Sequence, residues 1–332
     1  MTATLFASAL VIASLASGQS AKTWTLPHTA DGQPDIQGVW STATTTPLER
    51  PAEFAGKATL TPAEAAEYQK KAIYDVDGDR RDGGGAADVG RAYNEFWRER
   101  GKVVPDMRTS LITDPPDGKI PPLTPEARKR QADRAAAARG HEFDGPENRN
   151  LQERCLVANN AGPPMTPANY SANYQIAQGP GWVVLVNEMA HDARVIPLDG
   201  RAHIPQNVRQ WMGDARGHWE GNTLVVETTN FTDKTPFRGS SDKMRLVERF
   251  TRTEANTLMY EFTVDDPATF GKPWTAKIPT TRVDTGNSTI MTQHMPPAKL
   301  SLPKPEEPMA RMPPRMPYRM PITTPTIKES IR

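Results

Sequence analysis

Apolar and polar residues alternate over short segments in the second half of the chain, beyond about residue 150. The clearest case is 258–264, where every second residue is apolar and the residues between them are mostly polar. A period of two residues is typical of a β-strand that buries one face. Apolar-rich segments bounded by polar turns predict further strands at 182–186, 194–198, 217–219, 223–228 and 244–250.

Short polar turns separate these segments, which predicts an antiparallel meander of about five to seven strands. A sheet of this kind must bury its apolar face and hide its edges, either by closing or by packing on a second sheet. We therefore expect a mainly β fold, a barrel or a sandwich, over residues 151–290. A further strand is expected from 36–41.

The first half of the chain, 19–150, has a different character. The whole chain contains 32 prolines, which favours extended, irregular structure around a small core. Two Leu-Thr-Pro sequences predict helix starts, because threonine caps a helix and proline suits its first turn. We expect helices near 62–73 and 125–139, packed on or over the barrel, and a flexible loop at 75–90.

Both ends of the chain have unusual compositions. Residues 5–16 are apolar and precede a small-x-small sequence ending at Gly18, which predicts a signal peptide over 1–18 and a periplasmic or secreted protein. No later stretch is apolar enough to predict a membrane span. The tail 295–332 is rich in methionine and proline, which predicts disorder.

Charge, cysteine count and motifs exclude several classes of function. The 40 basic and 39 acidic residues leave a net charge of +1, which gives no electrostatic reason to expect a nucleic-acid partner. Cys155 is the only cysteine, so an intrachain disulfide and a cysteine zinc site are excluded. No GxSxG, HExxH or phosphate-binding loop is present, and we predict neither a cofactor nor a metal. The oligomeric state is left open.

The densest polar cluster brackets the predicted 182–198 hairpin. Its candidates for acid–base catalysis are Glu188, His191, Asp192 and His203. We expect the two histidines at opposite ends of a strand, which disfavours a shared metal. The alternative is that these residues are exposed turn and strand-end groups.

A second cluster predicts a ligand site, because arginine can stack on tryptophan and an Asp–Arg pair can clamp a polar group. Its candidates are Arg209, Trp211, Asp214, Arg216 and Trp219. The alternative is a structural corner. Glu248 joins the candidates if its row of the 244–250 strand faces inward, but the row containing Arg245 and Arg249 could face inward instead.

Several phrases, in order, resemble an uncharacterised family of secreted bacterial proteins. They are PDIQGVW at 34–40, DPPDGKIPPLTPEA at 114–127, HDARVIPLDGRAH at 191–203, GHWEGNTLVVETTNF at 217–231, LVERFTR at 246–252 and YEFTVDDP at 260–267. The resemblance implies no established activity. Gly38-Val39-Trp40 is also similar to the start of lipocalins, so the barrel is calycin- or lipocalin-like by analogy.

Three functions fit these observations. The first is an exported barrel that binds a small apolar or aromatic molecule. The second is a cofactor-free enzyme on the same scaffold, a lyase, isomerase, hydratase or hydrolase with a histidine–carboxylate pair. The third is an interaction or cell-envelope protein. A pocket-bearing barrel can host either binding or catalysis, so the fold does not separate the first two.

Overall fold

The computed structural model describes seven parts of the chain, residues 24–80, 82–90, 95, 98–157, 162–189, 192–234 and 237–283. The predicted signal peptide 1–18, the candidate His191 and the Met/Pro-rich tail 295–332 lie outside these ranges.

The described residues form ten strands in one sheet. The strands are β1 Gly38–Ser41, β2 Ile112–Asp114, β3 Asn173–Gly179, β4 Trp182–Asn187, β5 Ala193–Pro197, β6 Asp214–Glu220, β7 Thr223–Thr229, β8 Arg245–Glu254, β9 Thr257–Asp265 and β10 Trp274–Arg282. Three α-helices lie in the first half, α1 Pro62–Asp75, α2 Gly84–Gly90 and α3 Pro125–Ala138.

The sheet closes almost completely into a barrel. Its hydrogen-bonded order is β5-β4-β3-β1-β10-β9-β8-β7-β6, with β2 attached to β10 beside β1. Around the ring, strands therefore follow one another in chain order, and the first strand pairs with the last. This arrangement confirms the predicted mainly β fold and shows that the meander closes as a barrel.

The barrel has one seam, between β5 and β6. The nine strands on the path make eight neighbouring pairs, all antiparallel, so β5 and β6 run in the same direction. No hydrogen-bonded ladder joins these two strands in the described structure. They are nevertheless neighbours, since a Cβ at Gly217 of β6 would lie 2.8 Å from Ile196 Cγ2 of β5.

A long connection links the two strands at the seam. Because parallel neighbours need a crossover, residues 198–213, here called the crossover segment, return from the end of β5 to the start of β6. Asn230 fastens the crossover segment to β7 by donating through Nδ2 to the carbonyl oxygens of Ile204, Pro205 and Val208.

Large side chains fill the barrel interior. The inward row of β9 is fully buried, as alternation predicts, and aromatic rings from β8 and β10 pack against it. The largest fully buried residues are Trp40, Trp274, Tyr174, Tyr260, Phe250 and Phe262. Residues from 36 to 278 contribute to one core, so the first half of the chain shares that core with the barrel.

Trp40 closes the end of the barrel at which β6 and β8 finish, here called the floor. It is 1% exposed, and its Nε1 donates to the Ile36 carbonyl oxygen at 3.0 Å. The guanidinium carbons of Arg252 and Arg282 lie 5.6 and 5.7 Å from its ring centre. The floor is thus a tryptophan with two arginines close to its ring.

The helices lie outside the barrel. Helix α1 begins after the Thr61 cap with the expected capping box, and α3 begins after Thr124. In α3 only Ala127 is buried, as the near absence of large apolar residues predicts. The short helix α2 lies where the sequence predicts a flexible loop. None of the helices in the described ranges is both long and apolar enough to cross a bilayer.

Candidate functional site

Arg194 crosses the barrel interior from the seam. It lies opposite Leu185 of β4, in the row of β5 that faces inward. Its Nη1 and Nη2 donate to Glu248 Oε1 and Oε2 at 3.1 and 2.5 Å. Glu248 is 0% exposed, so its row of β8 faces inward, and the alternative in which Arg245 and Arg249 face inward is wrong.

The side chain of Tyr260 and the backbone N–H of Met165 complete this buried network. The Tyr260 hydroxyl donates to Glu248 Oε1 at 2.8 Å and accepts from the Met165 N–H at 3.0 Å. Burial raises the pKa of Tyr260 well above its ordinary value, and the Glu248 carboxylate raises it further. Burial lowers the pKa of Arg194, but Glu248 raises it by more. The phenol therefore stays neutral and the guanidinium stays charged at physiological pH.

A cleft of about 720 Å³ opens at the end of the barrel opposite the floor. It lies where β5 and β6 begin, and is here called the mouth cleft. The seam produces it, because no ladder draws these two strand ends together. Its lining residues are Cys155, Leu156, Asp192, Ala193, Arg194, Val195, Arg209, Gln210, Trp211, Met212, Gly213, Asp214 and Ala215.

The turn that carries Trp211 and Met212 is held rigidly against β7. Gln210 N–H donates to the Asn230 carbonyl, and the Gln210 carbonyl accepts from Thr232 N–H, both at 3.0 Å. Gly213 has a φ of +70°, and a Cβ there would lie 2.7 Å from the Thr229 carbonyl oxygen. Only glycine fits this close approach, and it fixes the turn beside the cleft.

A small cavity lies beneath the mouth cleft. It has a volume of about 10 Å³ and shares Asp192, Arg194 and Met212 with the cleft. Its other lining residues are Met165, Tyr174, Leu185 and Asn187. The cleft therefore leads inward to Arg194 and a pocket of atomic size with both polar and apolar lining residues, here called the inner cavity.

The structure places the predicted ligand residues in four different positions. Arg209, Trp211 and Asp214 line the mouth cleft, and Glu248 lies behind Arg194 in the interior. Arg216 lies on the outer face, where its Nη1 donates to Asp214 Oδ1 at 2.8 Å. Trp219 packs against the core near the end of β6 remote from the cleft.

Among the predicted catalytic residues, His203 belongs to a polar cluster on the outer face of β6 and β7. Its Nδ1 lies 2.8 Å from Asp214 Oδ2, and its Nε2 lies 3.5 Å from Glu227 Oε1. Asp214 also accepts from the Ile204 N–H at 3.2 Å. Both imidazole nitrogens thus face carboxylates, and the cluster fastens the crossover segment to the sheet.

Glu188 and Asp192 lie elsewhere. Asp192 lines the mouth cleft, whereas Glu188 is buried beside Asn173, whose Nδ2 donates to Glu188 Oε2 and to Glu99 Oε1, both at 2.8 Å. No hydrogen bond or ion pair joins His203 to Glu188 or Asp192 within the described residues. The predicted catalytic residues therefore do not form one constellation there.

The Glu99–Glu188 pair has a pH-dependent consequence. Burial raises the pKa of Glu99, and the nearby Glu188 carboxylate raises it further. Above the ordinary value of 4.5, the native state therefore binds more protons than the unfolded state, so stability falls as the pH rises. We expect Glu99→Gln to raise the free energy of unfolding by about 1 kcal/mol at pH 8 and to have little effect at pH 4.5. Urea unfolding at both pH values measures this difference.

Glu95→Gln is the matched control for Glu99→Gln. The hydrogen bond from Arg100 lowers the pKa of Glu95, so the sign is reversed and this variant should lose stability at pH 8. A Glu99→Gln variant that loses as much stability at pH 8 as at pH 4.5 would contradict the interpretation.

Sequence reasoning missed Arg194, Asn187 and Tyr260 as site residues. Asn187 and Arg194 continue the inward rows of β4 and β5, so a polar residue in a buried alternation was the available signal. Among the described residues, no three His, Cys, Asp or Glu side chains cluster closely enough to hold a metal ion.

Comparisons of the chain with protein-family models, curated proteins and solved structures found no match. The resemblance to a family of secreted bacterial proteins therefore stays a prediction.

Proposed function

We propose that this protein is an exported β-barrel that binds a small apolar or aromatic molecule in the mouth cleft. One observation carries this proposal: a cleft of about 720 Å³, at the seam of the barrel, that leads to a buried arginine. Its volume falls within the range of about 300–1,000 Å³ that small-molecule sites occupy.

Beside its charged side chains, part of the lining offers the apolar and aromatic surface that such a ligand needs. Trp211, Met212 and Leu156 supply an aromatic ring and flexible apolar surface. Arg209 is already engaged, since its Nη1 donates to the Asp242 carbonyl oxygen at 2.8 Å. Because large side chains fill the barrel interior, the ligand lies at the mouth and not along the barrel axis.

Cys155 provides a direct test. It is exposed, lines the mouth cleft and is the only cysteine in the chain, so alkylation by iodoacetamide reports on the cleft alone. We expect N-phenyl-1-naphthylamine, a neutral aromatic probe, to bind with saturation and to slow this alkylation at least about fivefold, because a ligand in the cleft excludes the reagent. Probe fluorescence and intact mass measure the two effects.

Trp211→Ala is expected to weaken probe binding about tenfold, a loss of about 1.4 kcal/mol. Trp24→Ala is the matched control, because Trp24 is exposed to the same degree, 36% against 37%, and does not line the cleft. Binding that leaves Cys155 reactivity unchanged, or that both variants weaken equally, would contradict the proposed site.

Export is a separate part of the proposal. It rests on the apolar run at 5–16 and the small residues before Gln19. Expression of the whole chain should yield a periplasmic protein whose intact mass is that of a chain beginning at Gln19. A cytoplasmic protein with the full mass of 36.6 kDa would overturn export but not the binding site.

The alternative, a cofactor-free enzyme, has narrower support. The His203–Asp214 pair, at 2.8 Å, has the geometry of an oriented acid–base dyad. However, the second nitrogen of His203 faces Glu227 on the outer surface, whereas a general base must face its substrate. A His203→Gln variant that abolished turnover of a cleft ligand without loss of its binding would favour the enzyme.

A further inference from the structure

Two buried donors at the base of the mouth cleft have no hydrogen-bond partner among the described residues. They are Asn187 Nδ2 and Arg194 Nε, in side chains of residues that are 4% and 8% exposed. Both residues line the inner cavity. A buried donor without a partner destabilises the fold, so two at one place indicate a site that receives an acceptor.

Neighbouring hydrogen bonds fix the orientation of both donors. Asn187 Oδ1 accepts from the Met189 N–H at 3.1 Å, which assigns Nδ2 to the other side of the amide. In Arg194, Nη1 and Nη2 are engaged by Glu248, and Nη2 also reaches Thr228 Oγ1 at 3.4 Å. Nε is therefore the guanidinium nitrogen of Arg194 that has no partner among the described residues.

The size of the inner cavity limits what can enter it. A volume of about 10 Å³ accommodates about one oxygen-sized atom. The mouth cleft above it is about 720 Å³. A ligand that uses both must therefore have an apolar body and a single slim acceptor at its tip.

The charge balance determines which acceptor fits. The guanidinium of Arg194 is already neutralised by Glu248, 2.5 Å away, and Asp192 also lines the inner cavity. A ligand carboxylate would add a third negative charge beside one positive charge, at a site with little access to water. A neutral acceptor avoids that repulsion.

We infer that the ligand of the mouth cleft is an uncharged carbonyl compound, such as an aryl ketone, lactone or ester. Its carbonyl oxygen enters the inner cavity and accepts hydrogen bonds from Asn187 Nδ2 and Arg194 Nε, while its apolar body lies against Trp211 and Met212. This inference rests on the proposed function, because it names the ligand class of the same cleft.

Three naphthalene probes of similar shape test the inference. In 2-acetylnaphthalene a carbonyl oxygen occupies the position of the terminal CH₂ in 2-isopropenylnaphthalene, and 2-naphthoate carries a carboxylate. We expect the ketone to bind at least about tenfold more tightly than either of the others, as measured by tryptophan quenching and by protection of Cys155 from alkylation.

Asn187→Asp tests the named donor. It keeps an acceptor for the Met189 N–H and removes the Nδ2 donor. The ketone should lose about tenfold in affinity, and the hydrocarbon should lose less than about twofold. Asn222→Asp, the same change in the exposed turn between β6 and β7, should alter neither. If Asn187→Asp does not fold, the ratio between ketone and hydrocarbon in the unaltered protein decides alone.

The remaining outcomes overturn the inference in different ways. Equal binding of ketone and hydrocarbon would mean that the two donors are satisfied by water and do not select the ligand. Tightest binding of 2-naphthoate would mean an anionic ligand. If none of the probes protects Cys155, the proposed function fails and the inference fails with it.

Discussion

Replacing Arg194 by methionine is expected to lower the free energy of unfolding by about 3–5 kcal/mol, because the change leaves Glu248 charged and buried without its partner. Glu248 is 0% exposed, so water cannot take over from the guanidinium. The Tyr260 hydroxyl would remain as a donor to the carboxylate, but one neutral donor does not balance a buried charge. Urea unfolding of Arg194→Met measures the loss.

The double variant Arg194→Met/Glu248→Leu separates the value of the ion pair from the cost of breaking it. Apolar replacement of both partners in a buried pair is often neutral or stabilising. We therefore expect the double variant to regain most of the stability that the single variant loses. A double variant as unstable as Arg194→Met would contradict this account.

A matched control lies on the outer face of β8, the strand that carries Glu248. Arg249 of β8 pairs with Glu220 at 2.8 Å, and the two side chains are 36% and 49% exposed. Because solvent screens an exposed pair, Arg249→Met should cost less than about 1 kcal/mol. Equal losses for Arg194→Met and Arg249→Met would mean that the interior pair is hydrated.

The seam explains why the candidate site lies where it does. A ring of antiparallel neighbours closes without a parallel pair only when the number of strands is even, and this ring has nine. One neighbouring pair must therefore run in the same direction, and here that pair, β5 and β6, lacks a ladder in the described structure. Its strand ends stay apart, the crossover segment supplies Arg209 and Trp211 at the opening, and Arg194 reaches inward from it. The cleft is a consequence of the topology.

The strands that the sequence predicted are those with clear alternation or a short apolar run between turns. In β9, an apolar residue at every second position gives an unambiguous period of two. In β3, by contrast, asparagine and glutamine interrupt the pattern, and only Tyr174 and Ile176 show the buried row clearly. β2 has only three residues, too few to show a period. Tertiary pairing, not local propensity, makes these two segments strands.

Closure of the barrel and assembly of the site depend on distant contacts. The sequence left barrel and sandwich open, because alternation does not show that β1 pairs with both β3 and β10. Glu248 and Arg194 are 54 positions apart. Both rows of β8 contain charged and apolar residues, so the period of two did not show which row faces inward. Arg209, Trp211 and Asp214 of the mouth cleft were predicted as ligand residues because they are close in sequence.

Trp40→Ala is the second change for which we expect a large effect, a loss of about 3–5 kcal/mol in the free energy of unfolding. Trp40 fills the floor and is only 1% exposed. Its removal leaves a cavity and takes the indole ring away from both guanidinium groups. Burial lowers the pKa of Arg252, and the positive charge of Arg282 lowers it further, in keeping with repulsion between the two guanidinium groups.

Trp40→Phe separates the ring from its hydrogen bond. Phenylalanine keeps an aromatic face for the arginines but removes the donor to the Ile36 carbonyl oxygen, which should cost about 1–3 kcal/mol. Trp24→Ala is the control, because Trp24 also lies near Arg252, at 5.8 Å, but is 36% exposed; it should cost less than about 1 kcal/mol. Urea unfolding of the three variants should therefore rank Trp40→Ala, Trp40→Phe and Trp24→Ala in order of decreasing loss. If Trp24→Ala cost as much as Trp40→Ala, the floor would owe its stability to contacts with Arg252 that both tryptophans share, and not to the filling of the barrel end by Trp40.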